Sequence, residues 1–348
     1  MAAPERTQGN TTDQHGTTQV KGTLAQDYVT VVGASYQKLI DAARSQYGNK
    51  MSFINQGIRQ ISLYPPGTKN FSVQRVFLIF KDDYEAHLLE ALKDVIENTH
   101  GAQYREIDSV SGLVDFIHTR QRKGREIKQL DFFSHGVVWT IEFGYELDKR
   151  DSYRFRDAQA KMFAPEAFAY GATITSYACR TGLGIDAYYY VSEGEDPHYE
   201  LSLAQILADQ TKAAVKAYPV RSNYDQTYGN AQTNKELKAA QQKTEADMKA
   251  GMAHREQLTA YYQRLAAHRA KTQDPAATLP DPAPPAPEKT ASADDVKLIQ
   301  RAQARDKNAA RLKYPLDPQG AVVGVRAGDS PSGLPQRLFT YKNGQAPQ

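Results

Sequence analysis

Residues 76–80 (VFLIF) form an unbroken apolar run of strand length, the pattern of a strand covered on both faces. Leu88, Leu89, Leu92, Val95 and Ile96 then recur at helical spacing across 84–98, behind an Asp82 able to cap the helix. A second short strand is predicted at 104–108. A helix follows through Leu113, Phe116 and Ile117, with Ser109 or Ser111 as its cap. Two further apolar runs stop abruptly: 129–136 (QLDFFSHG) ends on His135 and Gly136, and 172–182 (ATITSYACRTG) ends on Cys179 and a small-residue turn. Residues 137–146 alternate apolar and polar and read as a β-hairpin beside those ends. A helix interrupted at Pro165 is expected over 157–169, another helix over 201–210 and a strand over 213–220. This alternation predicts an α/β fold, a mostly parallel sheet with right-handed crossovers and helices on both faces.

The flanks have other periods. In 24–47, Val29, Val32, Tyr36, Leu39, Ile40 and Ala43 lie near helical spacing, which predicts a helix, or a short strand passing into one. Residues 51–64 are apolar without a clear period and are closed by Pro65, Pro66 and Gly67. The first 22 residues, rich in Thr, Gln and Gly, are expected to be a disordered tail. Residues 231–271 are rich in Ala, Gln, Lys and Glu, and Leu237, Thr244, Gly251, Leu258 and Leu265 recur every seven residues, a weak coiled-coil stripe on a long helix. A proline-rich linker (274–287) leads to a second helix over 293–312, so the pair can form a hairpin. Residues 321–326 and 337–341 regain strand character. The expected division is a tail (1–22), an α/β domain (23–230), a helical insertion (231–314) and a C-terminal β segment (315–348) returning to the core.

Composition narrows the function. The net charge of +3 comes from 43 basic and 40 acidic residues without a basic cluster, which argues against nucleic acid as a partner. No apolar run approaches the ~20 residues of a membrane span, and the polar N-terminus lacks the layout of a secretory signal. The expected location is cytoplasmic, or exported without a cleaved signal. No phosphate-binding loop or dinucleotide fingerprint is visible, so no cofactor is expected. His15, His87, His100, His118, His198, His254 and His268 show no metal-ligand spacing with Cys or acidic partners, so no metal is expected either.

The candidate chemistry lies where the two apolar runs stop. Cys179 is the only cysteine, which rules out an intramolecular disulfide. A thiol becomes a strong nucleophile when a neighbouring imidazole takes or stabilises its proton. Two adjacent parallel strands, one ending in His135 and one in Cys179, would bring the side chains to one edge of a sheet. The backbone N–H groups of Gly136 and Cys179 could then donate to a developing oxyanion. The reaction would be acyl transfer through a thioester.

An apolar strand ending in Ser-His-Gly, followed by an apolar strand ending in Ala-Cys and small residues, resembles the caspase-like cysteine peptidases. That group includes caspases, gingipains, legumains and separase. Tyr177 stands where caspases proper have glutamine, and Gly182 falls after Arg180 and Thr181, so FFSHG with YACRTGLG is closer to the bacterial CHAT and related caspase-like families. The resemblance covers about residues 73–223. It implies a caspase-like three-layer sandwich, a bacterial origin and a His135–Cys179 dyad that cleaves a protein or peptide substrate after a selected side chain. Ser134 and Arg180 flank the dyad as candidate pocket residues. Among Asp131, Glu142, Asp186, Glu193 and Glu195, acidic groups near the site, Glu142 and Asp186 are candidates to receive a basic substrate residue. Tyr188, Tyr189 and Tyr190 could line a groove. The helical insertion could bind a protein partner or restrain the enzyme. Two other functions stay open: a catalytically inactive scaffold that binds through the helical extension, and an exported effector or toxin carrying this domain.

Overall fold

Strand β1 (Ala25–Val32) lies inside the sheet, parallel to β2 (Val73–Phe80) on one side. The computed structural model describes residues 11–12, 18–19, 25–35, 48–66, 72–82, 84–145 and 150–348. Beyond β2 comes β3 (Gln103–Ile107), and the other side of β1 is taken by β4 (Arg125–Phe133), both parallel. The β-hairpin expected over 137–146 is present as β5 (His135–Val137) and β6 (Thr140–Glu142), extended by β7 (Arg154–Phe155). Outward from β4 the central sheet continues through parallel β8 (Phe168–Ser176) and β9 (Ala214–Ala217). After a short strand, β10 (Ser222–Asn223), paired with β11 (Arg326–Ala327), the chain closes the sheet edge with β12 (Phe339–Tyr341), antiparallel to β9. The order in the seven-stranded sheet is β12-β9-β8-β4-β1-β2-β3.

Helix α1 (Gly48–Leu63) connects β1 to β2, and α2 (Ala86–Asp94) connects β2 to β3. Right-handed crossovers stepping outward from β1 put both on one face. The chain then returns through α3 (Val110–Arg122) and steps the opposite way, so α3 and α4 (Leu203–Thr211) cover the other face. Three layers result, with the core running through β1, β2 and β4, whose apolar residues on both faces are buried. Ser109 accepts from the Gly112 N–H and so is the α3 cap. Asp82 caps no helix, because α2 starts at Ala86 behind Glu85. The strand order reverses between β1 and β4, and the carboxyl ends of strands at such a reversal border a crevice.

Of the two readings offered for 24–47, residues 25–32 take the strand rather than the start of a helix. Val29, Val31 and Val32 are fully buried between two layers, and β-branched side chains suit that site better than a helix surface. The remainder of the predicted helix, 36–47, lies outside the described residues. Of the predicted disordered tail, Thr11–Thr12 pairs antiparallel with Thr18–Gln19, and its other positions also lie outside the described residues.

The extension consists of α5 (Ala231–Thr272), about 63 Å long at 1.5 Å per residue, and α6 (Ala293–Leu312). The seven-residue stripe is real. Leu237, Thr244, Gly251, Leu258 and Leu265 are all half-buried on α5. The proline-rich linker folds back on the helix: Arg269 Nε donates to the Ala277 carbonyl (3.0 Å), and His254 Nε2 lies 3.0 Å from the Pro284 carbonyl oxygen. Asp247 accepts from the Thr290 and Ala291 N–H groups, and Lys243 pairs with Asp295 at 3.1 Å. The residues after α6 clamp α1. Asn55 donates to the Pro315 carbonyl (3.0 Å) and accepts from the Asp317 N–H (2.9 Å), while Gln56 donates to the Val323 carbonyl (2.7 Å). The C-terminal segment thus packs on α1, and its strand β12 pairs with β9. No helix among the described residues is long and apolar enough to cross a membrane.

Asp131 is fully buried in β4, where its carboxylate accepts from the Tyr64 hydroxyl (2.6 Å) and Gln129 Nε2 (2.8 Å). Burial pushes its carboxyl up to about 6, against hydrogen bonds from Tyr64, Thr175 and Gln129 that favour the ionised form. The folded protein therefore holds this proton through a range in which the unfolded chain, titrating near ~4, has already released it. The native state loses stability as pH rises through that interval. Asp131→Asn is expected to lack this dependence. Between pH 4 and 7 the unfolding free energy of the wild type should fall by up to about 3 kcal/mol relative to the variant, measured by denaturant titration.

Candidate active site

β4 and β8 pair in parallel with Phe132 opposite Ser176, and the Tyr177 N–H donates to the Phe132 carbonyl at 3.0 Å. The strands thus end side by side, and the next residues, 134–136 and 178–180, are placed together without any sequence proximity. The contact is close. A Cβ on Gly136 would lie 2.6 Å from the Cys179 carbonyl oxygen and 2.8 Å from the Cys179 nitrogen, so only glycine lets the two backbones approach this far. His135 and Cys179 are both half-buried at this edge.

The thiol is held by the segment after β9. Ser222 N–H and Cys179 Sγ are 3.3 Å apart, and Ser222 Oγ is also 3.3 Å from the sulfur. Both groups can donate to a thiolate. The Cys179 N–H donates no hydrogen bond among the described residues, as an oxyanion donor requires. The turn that follows is fixed by Arg180 N–H to the Val220 carbonyl and Gly182 N–H to the Tyr218 carbonyl, each 3.0 Å. Arg180 has a left-handed backbone (φ 57°), a conformation costing a non-glycine residue roughly 1–3 kcal/mol, directly after the candidate nucleophile.

The imidazole of His135 is gripped from α1. Asn49 Nδ2 lies 3.4 Å from His135 Nε2, and the Phe53 ring meets the imidazole at 5.1 Å and 84°. Phe53 also packs edge-on against Tyr224, whose hydroxyl donates to the Tyr177 carbonyl at 3.1 Å.

The proposed pocket residues divide. Ser134 is fully buried and donates to the Glu142 carbonyl at 2.5 Å, which ties the histidine turn to β6. Glu142 is buried, and its carboxylate takes the Arg154 guanidinium at 2.9 Å. Both side chains are engaged in holding the hairpin, so neither is offered to a substrate. Asp186 is exposed beside the loop. Arg180 is 5% exposed, with Nη1 donating to the Ala187 carbonyl at 3.3 Å and Nε buried without a partner among the described residues. No carboxylate ion-pairs with it among the described residues. Its guanidinium lies 5.1 Å from the Tyr188 ring, and that of Arg221, next to Ser222, lies 5.4 Å from the same ring. Burial and the neighbouring Arg221 both lower the pKa of Arg180. Of the two acidic candidates, Glu142 is thus engaged by Arg154 while Asp186 stays exposed, and Arg221 adds an exposed cation next to Ser222.

Tyr188, Tyr189 and Tyr190 are exposed on that loop, and Val138 of the hairpin packs with Leu183, Ala187 and Val191 beneath it. His198 corrects the reading that no histidine has acidic neighbours at ligand distance. One ligating atom each from Asp196, His198 and Glu200 lie within 4.8 Å of one another on the surface. His198 Nδ1 is 2.9 Å from Glu200 Oε1, a hydrogen bond that raises the histidine pKa. Ser222, Asn49 and Arg221 were not legible as site residues, because nothing near them in the sequence marks them. No protein-family profile matches the chain, and no curated protein matches it either.

Proposed function

We propose that the chain is a caspase-like cysteine endopeptidase with His135 and Cys179 as its catalytic dyad. The observation that carries this reading is the packing of Gly136 on the Cys179 backbone, which joins the two strand ends. His135 takes the thiol proton and Sγ attacks the substrate carbonyl. The resulting oxyanion is met by the Cys179 N–H, with the Gly136 N–H as the second donor. Collapse expels the amine, to which His135 returns the proton, and leaves a thioester that water hydrolyses. The helical extension is the surface for a protein partner in this reading. Its exposed Met248, Met252 and Tyr262 support that role.

The substrate residue before the scissile bond is acidic in this proposal, because the exposed Arg221 lies next to Ser222, whose N–H and hydroxyl meet the thiol, and Glu142 is held by Arg154. Digestion of a peptide library, with new N-termini read by mass spectrometry, is the test. Cleavage should follow Asp or Glu at least about tenfold more often than Lys or Arg, in line with the cost of a like-charge juxtaposition. Arg221→Glu should erode that preference, and Cys179→Ala should abolish cleavage. Cleavage that persists in Cys179→Ala would remove the peptidase reading.

A further inference from the structure

A dyad requires that the imidazole present one particular nitrogen to the thiol, and the two strand ends do not by themselves fix the ring's rotation or tautomer. Two of the ring's contacts come from α1. Asn49 reaches Nε2, and Phe53, about one turn further along, packs edge-on against the ring. The helix is in turn held firmly. Tyr84 Oη, which donates to the Gly33 carbonyl (2.7 Å), also lies 3.3 Å from the Lys50 carbonyl oxygen, Asn55 makes two hydrogen bonds to residues 315–317, and Gln56 reaches the Val323 carbonyl. Asn49 is thus carried on an element fixed at both ends of the contact.

We propose that Asn49 is a positioning residue that holds His135 in the tautomer able to accept the thiol proton at Nδ1. The proposal rests on the reading of Cys179 as nucleophile. For Nδ1 to take that proton, the neutral ring must carry its own proton on Nε2, and the imidazolium carries one there as well. Both states call for an acceptor at Asn49. The two ends of a carboxamide have the same size, so a half-turn of the Asn49 amide presents Oδ1 to the Nε2 proton without displacing its neighbours. In the step itself the S–H bond breaks and an N–H bond forms at Nδ1, giving thiolate and imidazolium. The Nε2 proton stays on the ring, shared with Oδ1. Asn49 stabilises the imidazolium and so extends upward the pH range over which the ion pair persists.

The pH profile of Cys179 alkylation by iodoacetamide tests this on the full chain, and the single cysteine makes the signal site-specific. The wild type should show a plateau of thiolate reactivity bounded above by loss of the imidazolium proton. Asn49→Ala should bring that upper limit down by about one pH unit, the size expected for losing a hydrogen bond to a charged group. Asn49→Asp, whose carboxylate favours the imidazolium further, should move it up, and the lower limit should stay put in both. Circular dichroism separates a folding defect from this pattern, and the upward shift in Asn49→Asp is one that a structural role does not produce. Upper limits unchanged in both variants, with the wild-type plateau present, would overturn the positioning role alone. A wild type that titrates as a simple thiol, like His135→Ala, would overturn the peptidase reading and this proposal with it.

Discussion

His135→Ala is expected to lower kcat/KM about 10³-fold while leaving the fold intact, a loss typical of removing a positioned general base. The ring is half-buried and its neighbours Asn49 and Phe53 are held on α1, so removing it opens a small gap at the strand end rather than in the core. The loss should appear mainly in kcat, because His135 acts on protons moving in the transition state rather than on substrate binding. Cys179→Ala should be silent at every pH. The two variants together should be no worse than Cys179→Ala alone, since an imidazole has no nucleophile to activate once the thiol is gone.

The second large effect is expected from Gly136→Ala. The added methyl carbon would meet the Cys179 carbonyl oxygen at 2.6 Å, and the Cys179 nitrogen and Ala178 Cβ at 2.8 Å. Two of these are backbone atoms, which cannot swing aside as a flexible side chain does. The histidine turn and the cysteine turn must therefore separate, and the displacement falls on the distance that catalysis depends on. A misplacement near 1 Å costs on the order of 10²-fold in rate. Overpacking of this kind destabilises by roughly 1–3 kcal/mol, which leaves a folded protein to assay. The discriminating result is a folded Gly136→Ala with its thiol alkylated as slowly as in His135→Ala. Wild-type reactivity in that variant would show that the close approach is incidental.

The strands that present His135 and Cys179 were legible because each is a short apolar run broken by glycine or small residues, and a buried parallel strand needs little more than that. The C-terminal strand was legible for the same reason. β1 was legible only as one of two readings, a helix or a short strand passing into one, because Val29, Val32 and Tyr36 fall at helical spacing and a strand covered on both faces has no period of two to contradict them. The site was less legible than the fold. Asn49 lies 86 positions from His135 and Ser222 lies 43 from Cys179, and nothing local records contacts that α1 and the segment after β9 make only once the sheet is assembled. Glu142 was misjudged as a pocket residue for a related reason. Glu142 looked available until Arg154, brought back by the third strand of the hairpin, was seen to occupy it. Charge next to a site in sequence says little about charge facing it.

The central claim is that His135 activates Cys179, and labelling of the folded protein by a thiol-reactive acyl probe measures this most directly. The site of attachment is read by mass spectrometry, at a pH below the ordinary thiol range of about 8.5. Activation predicts rapid modification of Cys179 in the wild type and a rate at least about 10²-fold slower in His135→Ala. Equal rates in the two proteins would contradict it.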